Sequence, residues 1–525
     1  MRAYVIDMQR YIINKTAAEA AERVPSFSSC FVTSSCHAGF ISFISFSMQR
    51  LRGTLIVRVY LSVIVLLCVT LTPDAGARDL PDPDRLVYPP LHFSPPKPRH
   101  FRLENGLRVY LLENRELPVV QVTLFVKSGA VYDEAGKEGT GELTTALMRS
   151  GGTEKMDPRS LDETLAALAA TIEPVAGLEQ VQWSLFSLRA DFDRVWDIFA
   201  QIIMSPRFDP ERLRLLKELK SEEIRRLADE PKAWAFKEFF RLIYQGNPRG
   251  RLPTVTGLKK IARADLVSCH RRYYTPDRMI LAVSGDIGQE ELTVMVRKTF
   301  GFLPAGNSAP EAPPPLSPFR SGKYYLVKDT PQTVTVIGCP APAKGSPDYF
   351  AFDVIDHVLG SGGFRSRIFQ EVRTDRGLAY ATGSFYRARN DYGIFGAYAV
   401  TKTDNAGEAL SIIQALVRQA NRQGILPEDL ERTRNSILNR FIFSFAAPHQ
   451  LVYRQASLAL ENLPGDFIWK YREEIGRLTN GEINRTAAAW LDFDRSLILM
   501  LGTASGFDKI KQTHPDFQMI EVNYD

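Results

Sequence analysis

The residues best placed to do chemistry lie in one stretch of the 525-residue chain: Gly360-Ser361-Gly362-Gly363, then Arg367, Arg373 and, past Gly377, Tyr380. Two guanidiniums and a phenol, all hydrogen-bond donors, stand beside backbone that carries little side chain. A glycine run can cradle phosphate, but no Lys-Ser or Lys-Thr follows in the P-loop position and no strand-loop-helix dinucleotide pattern surrounds it. From the residues alone the stronger reading is turn chemistry ahead of a helix. His92, His100, His270, His357, His449 and His514 each lack a second histidine or cysteine at i+2 to i+4, the spacing that makes a metal cluster.

The elements that must position these residues are legible from periodicity. Proline-rich sequence from Leu80 to Arg99 reads as an extended spacer. Phe101 and Leu103, an Asn105-Gly106 turn and the alternating Leu107, Val109 and Leu111 predict a hairpin. Pro118 to Lys127 alternates again. Ser160 with Glu163 predicts a capping box ahead of a helix, and Met279 to Gly285 a strand. Gly306 to Pro318, with Pro313-Pro314-Pro315, is a stiff linker. Beyond it come strands at Lys323 to Lys328 and Thr333 to Gly338, a helix at Tyr349 to Leu359, and an alternating segment at Tyr392 to Val400. In both halves an amphipathic helix (Phe192 to Met204; Ala406 to Gln423) leads to Pro-Glu (Pro210-Glu211; Pro427-Glu428) and a long basic helix. The halves therefore read as divergent copies.

Composition is ordinary for a globular protein, 45% hydrophobic and 24% charged. Residues 1 to 77 carry seven Lys or Arg against four Asp or Glu, so most of the net charge of +5 sits there and nothing points to nucleic acid. From Met48, a basic Gln49-Arg50-Leu51-Arg52, an apolar Val59 to Leu71 and Ala75-Gly76-Ala77 read as an export signal ending at Ala77. Residues 1–47 read as an overlong start or a leader. The expectation is a periplasmic protein, held at a membrane only if the signal stays uncleaved. Cys269 and Cys339 would then be the remaining cysteines, with nothing to say whether they pair.

The segment from Gly360 to Tyr380 resembles the C-terminal-domain signature of the pitrilysin, insulinase and mitochondrial processing peptidase family of zinc metallopeptidases. The resemblance extends over about residues 98–525, with Tyr273-Tyr274-Thr275-Pro276-Asp277 and Ser284-Gly285-Asp286 as weaker matches. It implies an α+β fold of two homologous alpha-beta sandwich domains, each an antiparallel sheet packed against helices, at 98–305 and 320–525 with the linker at 306–319. It also implies that Arg373 and Tyr380 hold substrate against a zinc site, with Gly360, Gly362, Gly363 and Arg367 contributing a substrate-contacting loop.

The family's inverted H-x-x-E-H zinc motif is degraded. Aligned on Gly139 and on Gly152-Thr153, the first histidine becomes Glu142, the glutamate Thr145 and the second histidine Ala146. Thr145 is no general base unaided, and Ala146 has no donor atom. The third ligand's counterpart is Glu223, which helical phase places between Leu219, Leu216 and Leu227 as a paired or protonated core carboxylate. No metal or other cofactor is expected in this chain. The resemblance implies the non-catalytic, substrate-binding subunit of a heterodimeric metallopeptidase, completing in trans the site of a zinc-bearing partner with an intact H-x-x-E-H. The alternative is a peptide-binding or scaffold protein with no proteolytic complex.

Overall fold

The computed structural model describes residues 95–306, 319–522 and 524–525. The readings of a leader, an export signal, most of the spacer and most of the linker fall outside them. No helix among the described residues is long and apolar enough to cross a membrane.

The first half runs β1 (Arg99–Arg102), β2 (Arg108–Glu113), β3 (Val119–Val126), α1 (Thr140–Ser150), α2 (Pro158–Ala167), β4 (Thr171–Ala176), β5 (Val181–Leu188), α3 (Phe192–Met204), α4 (Pro210–Arg226), α5 (Pro231–Ile243), α6 (Val255–Lys260), α7 (Arg263–Tyr273), β6 (Met279–Gly285) and α8 (Gln289–Phe300). The second runs β7 (Gly322–Val327), β8 (Gln332–Ala341), α9 (Tyr349–Asp356), α10 (Arg367–Phe369), β9 (Ala379–Ala388), β10 (Gly393–Lys402), α11 (Ala406–Gln423), α12 (Pro427–Phe443), α13 (Pro448–Leu460), α14 (Phe467–Arg477), α15 (Asn480–Trp490), β11 (Leu497–Gly502), α16 (Ala504–Thr513) and β12 (Gln518–Ile520).

Each half builds a six-stranded sheet, in the orders β1-β2-β6-β3-β5-β4 and β12-β7-β11-β8-β10-β9. Apart from β1 and β12, the two orders are the same, which makes the halves structural copies. The sheets are mixed, not wholly antiparallel. A late strand inserts between the two strands of an early antiparallel pair, so it must run parallel to one of them. Thus β6 is parallel to β2 and antiparallel to β3, and β11 is parallel to β7 and antiparallel to β8. The helix expected at Ser160 starts earlier, because Asp157 caps it by accepting from the Arg159 and Ser160 amides with Pro158 at the first helical position.

Both inserted strands are buried along their whole length, as continuous apolar runs require. Alternation sends Met279, Leu281 and Val283 into the core of the first half, and Ile280 and Ala282 onto the sheet's other face. That other face is covered by the second half: Val452, Ala456 and Leu460 of α13 pack on Ile280, Ala282 and Phe125. The exchange is reciprocal. Trp234, Ala235 and Phe239 of α5 pack on Val334, Val336, Leu497, Leu499 and Leu501 of the second sheet. Each half closes its neighbour's sheet with a helix, so the two halves share their hydrophobic interior.

His449 sits at this junction. Its Nε2 lies 2.9 Å from the Thr123 hydroxyl and its Nδ1 2.9 Å from the Ser284 hydroxyl. Burial pushes its pKa down to about 4. Between pH 6.5 and about 4 the unfolded chain takes up a proton that the folded one refuses, so stability falls as pH falls across that window. The expected loss is about 3 kcal/mol, at 1.36 kcal/mol per pKa unit. Denaturant titrations of wild type and His449→Gln at pH 7 and pH 4.5 check this. The wild type should lose more stability on acidification than the variant, and equal losses would remove histidine as the cause.

Candidate functional site

Tyr380 owes its placement to an irregularity. In the β9–β10 ladder Val400 pairs with Ala381 and Thr401 with Ala379, which leaves Tyr380 as the extra residue of a β-bulge on the edge strand. Its side chain turns outward and is 75% exposed. Arg373 lies in the wide helical turn Gln370–Asp375 that continues α10. It is exposed, and its guanidinium lies 4.9 Å from the centroid of the Phe369 ring, which supports one face and leaves the N–H edges open. Gly377, at φ 63°, takes the left-handed turn that ends this segment and aims the chain into β9.

The glycine-rich loop divides into fixed and free parts. Gly360 is buried where a Cβ would come 2.3 Å from the Ser384 amide nitrogen, so it is a packing glycine. Ser366 pins the loop by donating to the Gly363 carbonyl at 2.7 Å. Gly362 and Gly363 are exposed, Gly363 with φ 78°, and Phe364 projects outward beside them. Arg367 has its guanidinium committed to Asp429 Oδ2 at 3.0 and 2.6 Å, and so positions the loop against α12.

The relic of the zinc motif is held together by a residue that sequence reasoning missed. Lys220 reaches from α4 to place its ammonium 2.6 Å from Glu142 and 3.0 Å from Glu223. Glu223 is not a core carboxylate. Its side chain is 58% exposed, because the buried stripe of α4 runs through Leu213 and Ile224 and the Leu219 taken as its neighbour stands in solvent. The carboxylates at the positions of the first and third ligands thus clasp a cation supplied by the protein. Thr145 donates to the Gly141 carbonyl at 2.8 Å and lies 3.3 Å from the buried Tyr274 hydroxyl. An ammonium between two carboxylates, a committed hydroxyl and an alanine are a donor set that does not fit zinc. Among the described residues no group of three or more histidine, cysteine, aspartate or glutamate side chains could hold a metal. Cys269 and Cys339 are buried, free thiols. Replacing Lys220 with methionine is expected to cost about 1 kcal/mol, a low figure because both carboxylates are well exposed to water. It should create no zinc site; thermal unfolding with and without zinc checks both.

A second missed feature is the copy of this region in the other half. Asp353-Val354-Ile355-Asp356-His357 repeats the inverted-motif spacing at the end of α9. Arg440 is the fourteenth residue of α12, as Glu223 is of α4. It donates to His357 Nε2, while His357 Nδ1 lies 2.8 Å from the Asp353 carbonyl. Asp356 is buried against the Ser384 hydroxyl at 2.5 Å, and burial pushes its carboxyl up to about 6. Comparing the two halves for that spacing would have found these residues; reading histidines for a nearby second histidine did not.

Residues 108–253 match the model of the insulinase family, peptidase family M16, and residues 260–437 that of the peptidase M16 inactive domain. The chain belongs to this family. An uncharacterized zinc protease of Mycobacterium bovis is 26% identical over 74% of this chain and 90% of its own. A probable mitochondrial-processing peptidase subunit beta of Arabidopsis thaliana is 25% identical over 66% of this chain and 67% of its own. The crystal structure of a peptidase M16 inactive domain from Pseudomonas fluorescens superposes with a TM-score of 0.73 at 21% identity, covering 78% of this chain and 98% of that one. A protease from Helicobacter pylori gives 0.70 at 20% identity, covering 77% and 99%.

Proposed function

We propose that this chain is the non-catalytic subunit of a two-chain zinc peptidase, lending Arg373 and Tyr380 to an active site whose metal and base belong to a partner. The observation that carries this reading is the contrast between the two candidate sites. Lys220 fills the relic site, while the Arg373–Tyr380 edge is presented outward with no acidic partner for the arginine among the described residues. A tyrosine on an edge-strand bulge and an arginine braced on an aromatic ring are donors held out from the protein, as a site completed by another chain would require.

In that assembly the Arg373 guanidinium takes a backbone carbonyl of an extended peptide and fixes its register. The Tyr380 hydroxyl donates to the carbonyl oxygen as it acquires negative charge, which stabilises the transition state more than the bound peptide. Gly362, Gly363 and Phe364 form the adjacent wall. The partner is a family member with an intact H-x-x-E-H that would hold the zinc. The export signal would place the pair outside the cytoplasm, and N-terminal sequencing of the native protein, expected to begin at Arg78, tests that placement.

Purified alone, the chain is expected to cleave no peptide and to bind no stoichiometric zinc. Metal analysis that found a tightly held zinc, lost to chelator together with peptidase activity, would overturn the reading.

A further inference from the structure

We propose that the second half carries a peptide-binding site in the cavity of about 750 Å³ between α9, α12, α13 and α14, and that it takes the free carboxyl terminus of a short peptide ending in an aromatic or large apolar residue. The cavity lies where the zinc site would lie in the first half: α9 corresponds to α1 and α12 to α4. The charge there is inverted. Where the first half has the carboxylate of Glu223, this half has the guanidinium of Arg440.

The cations of the cavity differ in what they already hold. Lys344 is matched by Glu461 at 3.0 Å. Arg440 donates to His357 Nε2 and Arg454 lies 5.6 Å from the centroid of the Phe445 ring, and neither pairs with a described carboxylate. The acid lining the cavity, Asp353, already accepts from the Tyr471 hydroxyl. Both guanidiniums line the space without a described carboxylate within ion-pair distance, and a guanidinium's fork fits a carboxylate's two oxygens.

The walls choose the rest of the ligand. Phe441 stacks on Tyr471 with centroids 5.4 Å apart and planes at 13°, and Phe445 meets Phe441 at 4.9 Å. This is an aromatic surface for a flat or bulky apolar side chain beside the anion site. The volume lies within the range of small-ligand pockets, enough for the last few residues of a peptide. An α-carboxylate next to an apolar side chain satisfies guanidiniums and rings together, which an isolated inorganic anion does not.

The test uses the chain without a partner, so its outcome is independent of the role of Arg373 and Tyr380. Calorimetric titration with Ala-Ala-Phe should show saturable binding at one site, and the same peptide with a C-terminal amide should bind at least about tenfold more weakly. Arg440→Gln and Arg454→Gln, both at exposed positions whose loss leaves the core intact, should each weaken the acid and leave the amide unchanged. Circular dichroism matching wild type confirms that they fold. The proposal is overturned if the acid and amide bind alike, if neither binds up to about 10 mM, if both variants bind as wild type does, or if inorganic phosphate binds as tightly as the peptide.

Discussion

Replacing Tyr380 with phenylalanine is expected to lower kcat of the proposed two-chain peptidase by about 10²- to 10³-fold, the usual result of losing one donor to a developing oxyanion. The change removes a single hydroxyl from a side chain that is 75% exposed, so neither the fold nor the partner interface should suffer. Arg373→Ala is the companion measurement. An arginine that only positions the peptide raises KM and leaves kcat near its original value. The two variants should therefore separate on the two constants. Glu142→Ala, in the relic site, is the control and should leave activity near wild type. If the tyrosine and arginine variants keep full activity while Glu142→Ala abolishes it, the working half is the first.

The second large effect concerns the shared interior. Phe239→Ala is expected to destabilise the chain by about 3–5 kcal/mol, the range for truncating a buried phenylalanine. The ring is fully buried in the cluster that α5 forms with the second sheet, and it enters a hole left by Gly338, where a Cβ would come 2.7 Å from its edge. Phe385 closes it edge-on at 6.0 Å. The cavity cannot collapse easily, because β8 and β11 are held in register on both sides. Urea titration followed by tryptophan fluorescence reads this through the neighbouring Trp234. A midpoint shift worth less than about 1 kcal/mol would mean that α5 contributes little to holding the second sheet.

Much of this was visible in the residues, for identifiable reasons. Met279 to Gly285, Phe192 to Met204 and Ala406 to Gln423 were read with the bounds the structure has, because each is a long element with an unbroken apolar pattern. The pairing of halves was visible because the Pro-Glu helix starts are local signals. Glu223 was misplaced because α4 is mostly charged, and its Leu215 and Leu219 stand in solvent, so leucines were a poor guide to its buried face. Lys220 escaped notice because its partner Glu142 lies on another helix, 78 residues away. The bulge that aims Tyr380 depends on register with β10, which no local pattern encodes. The helix exchange was invisible for the same reason: amphipathicity says that α5 and α13 bury a face, not whose sheet they bury it on.

The most direct test of the account is reconstitution. Mixing this chain with an exported family member that carries an intact H-x-x-E-H should give a stable complex that contains a single zinc per pair, borne by the partner, and that cleaves peptides neither chain cleaves alone. A complex that is fully active with Arg373→Ala/Tyr380→Phe in this chain, or a partner that is as active alone as in the mixture, would contradict it.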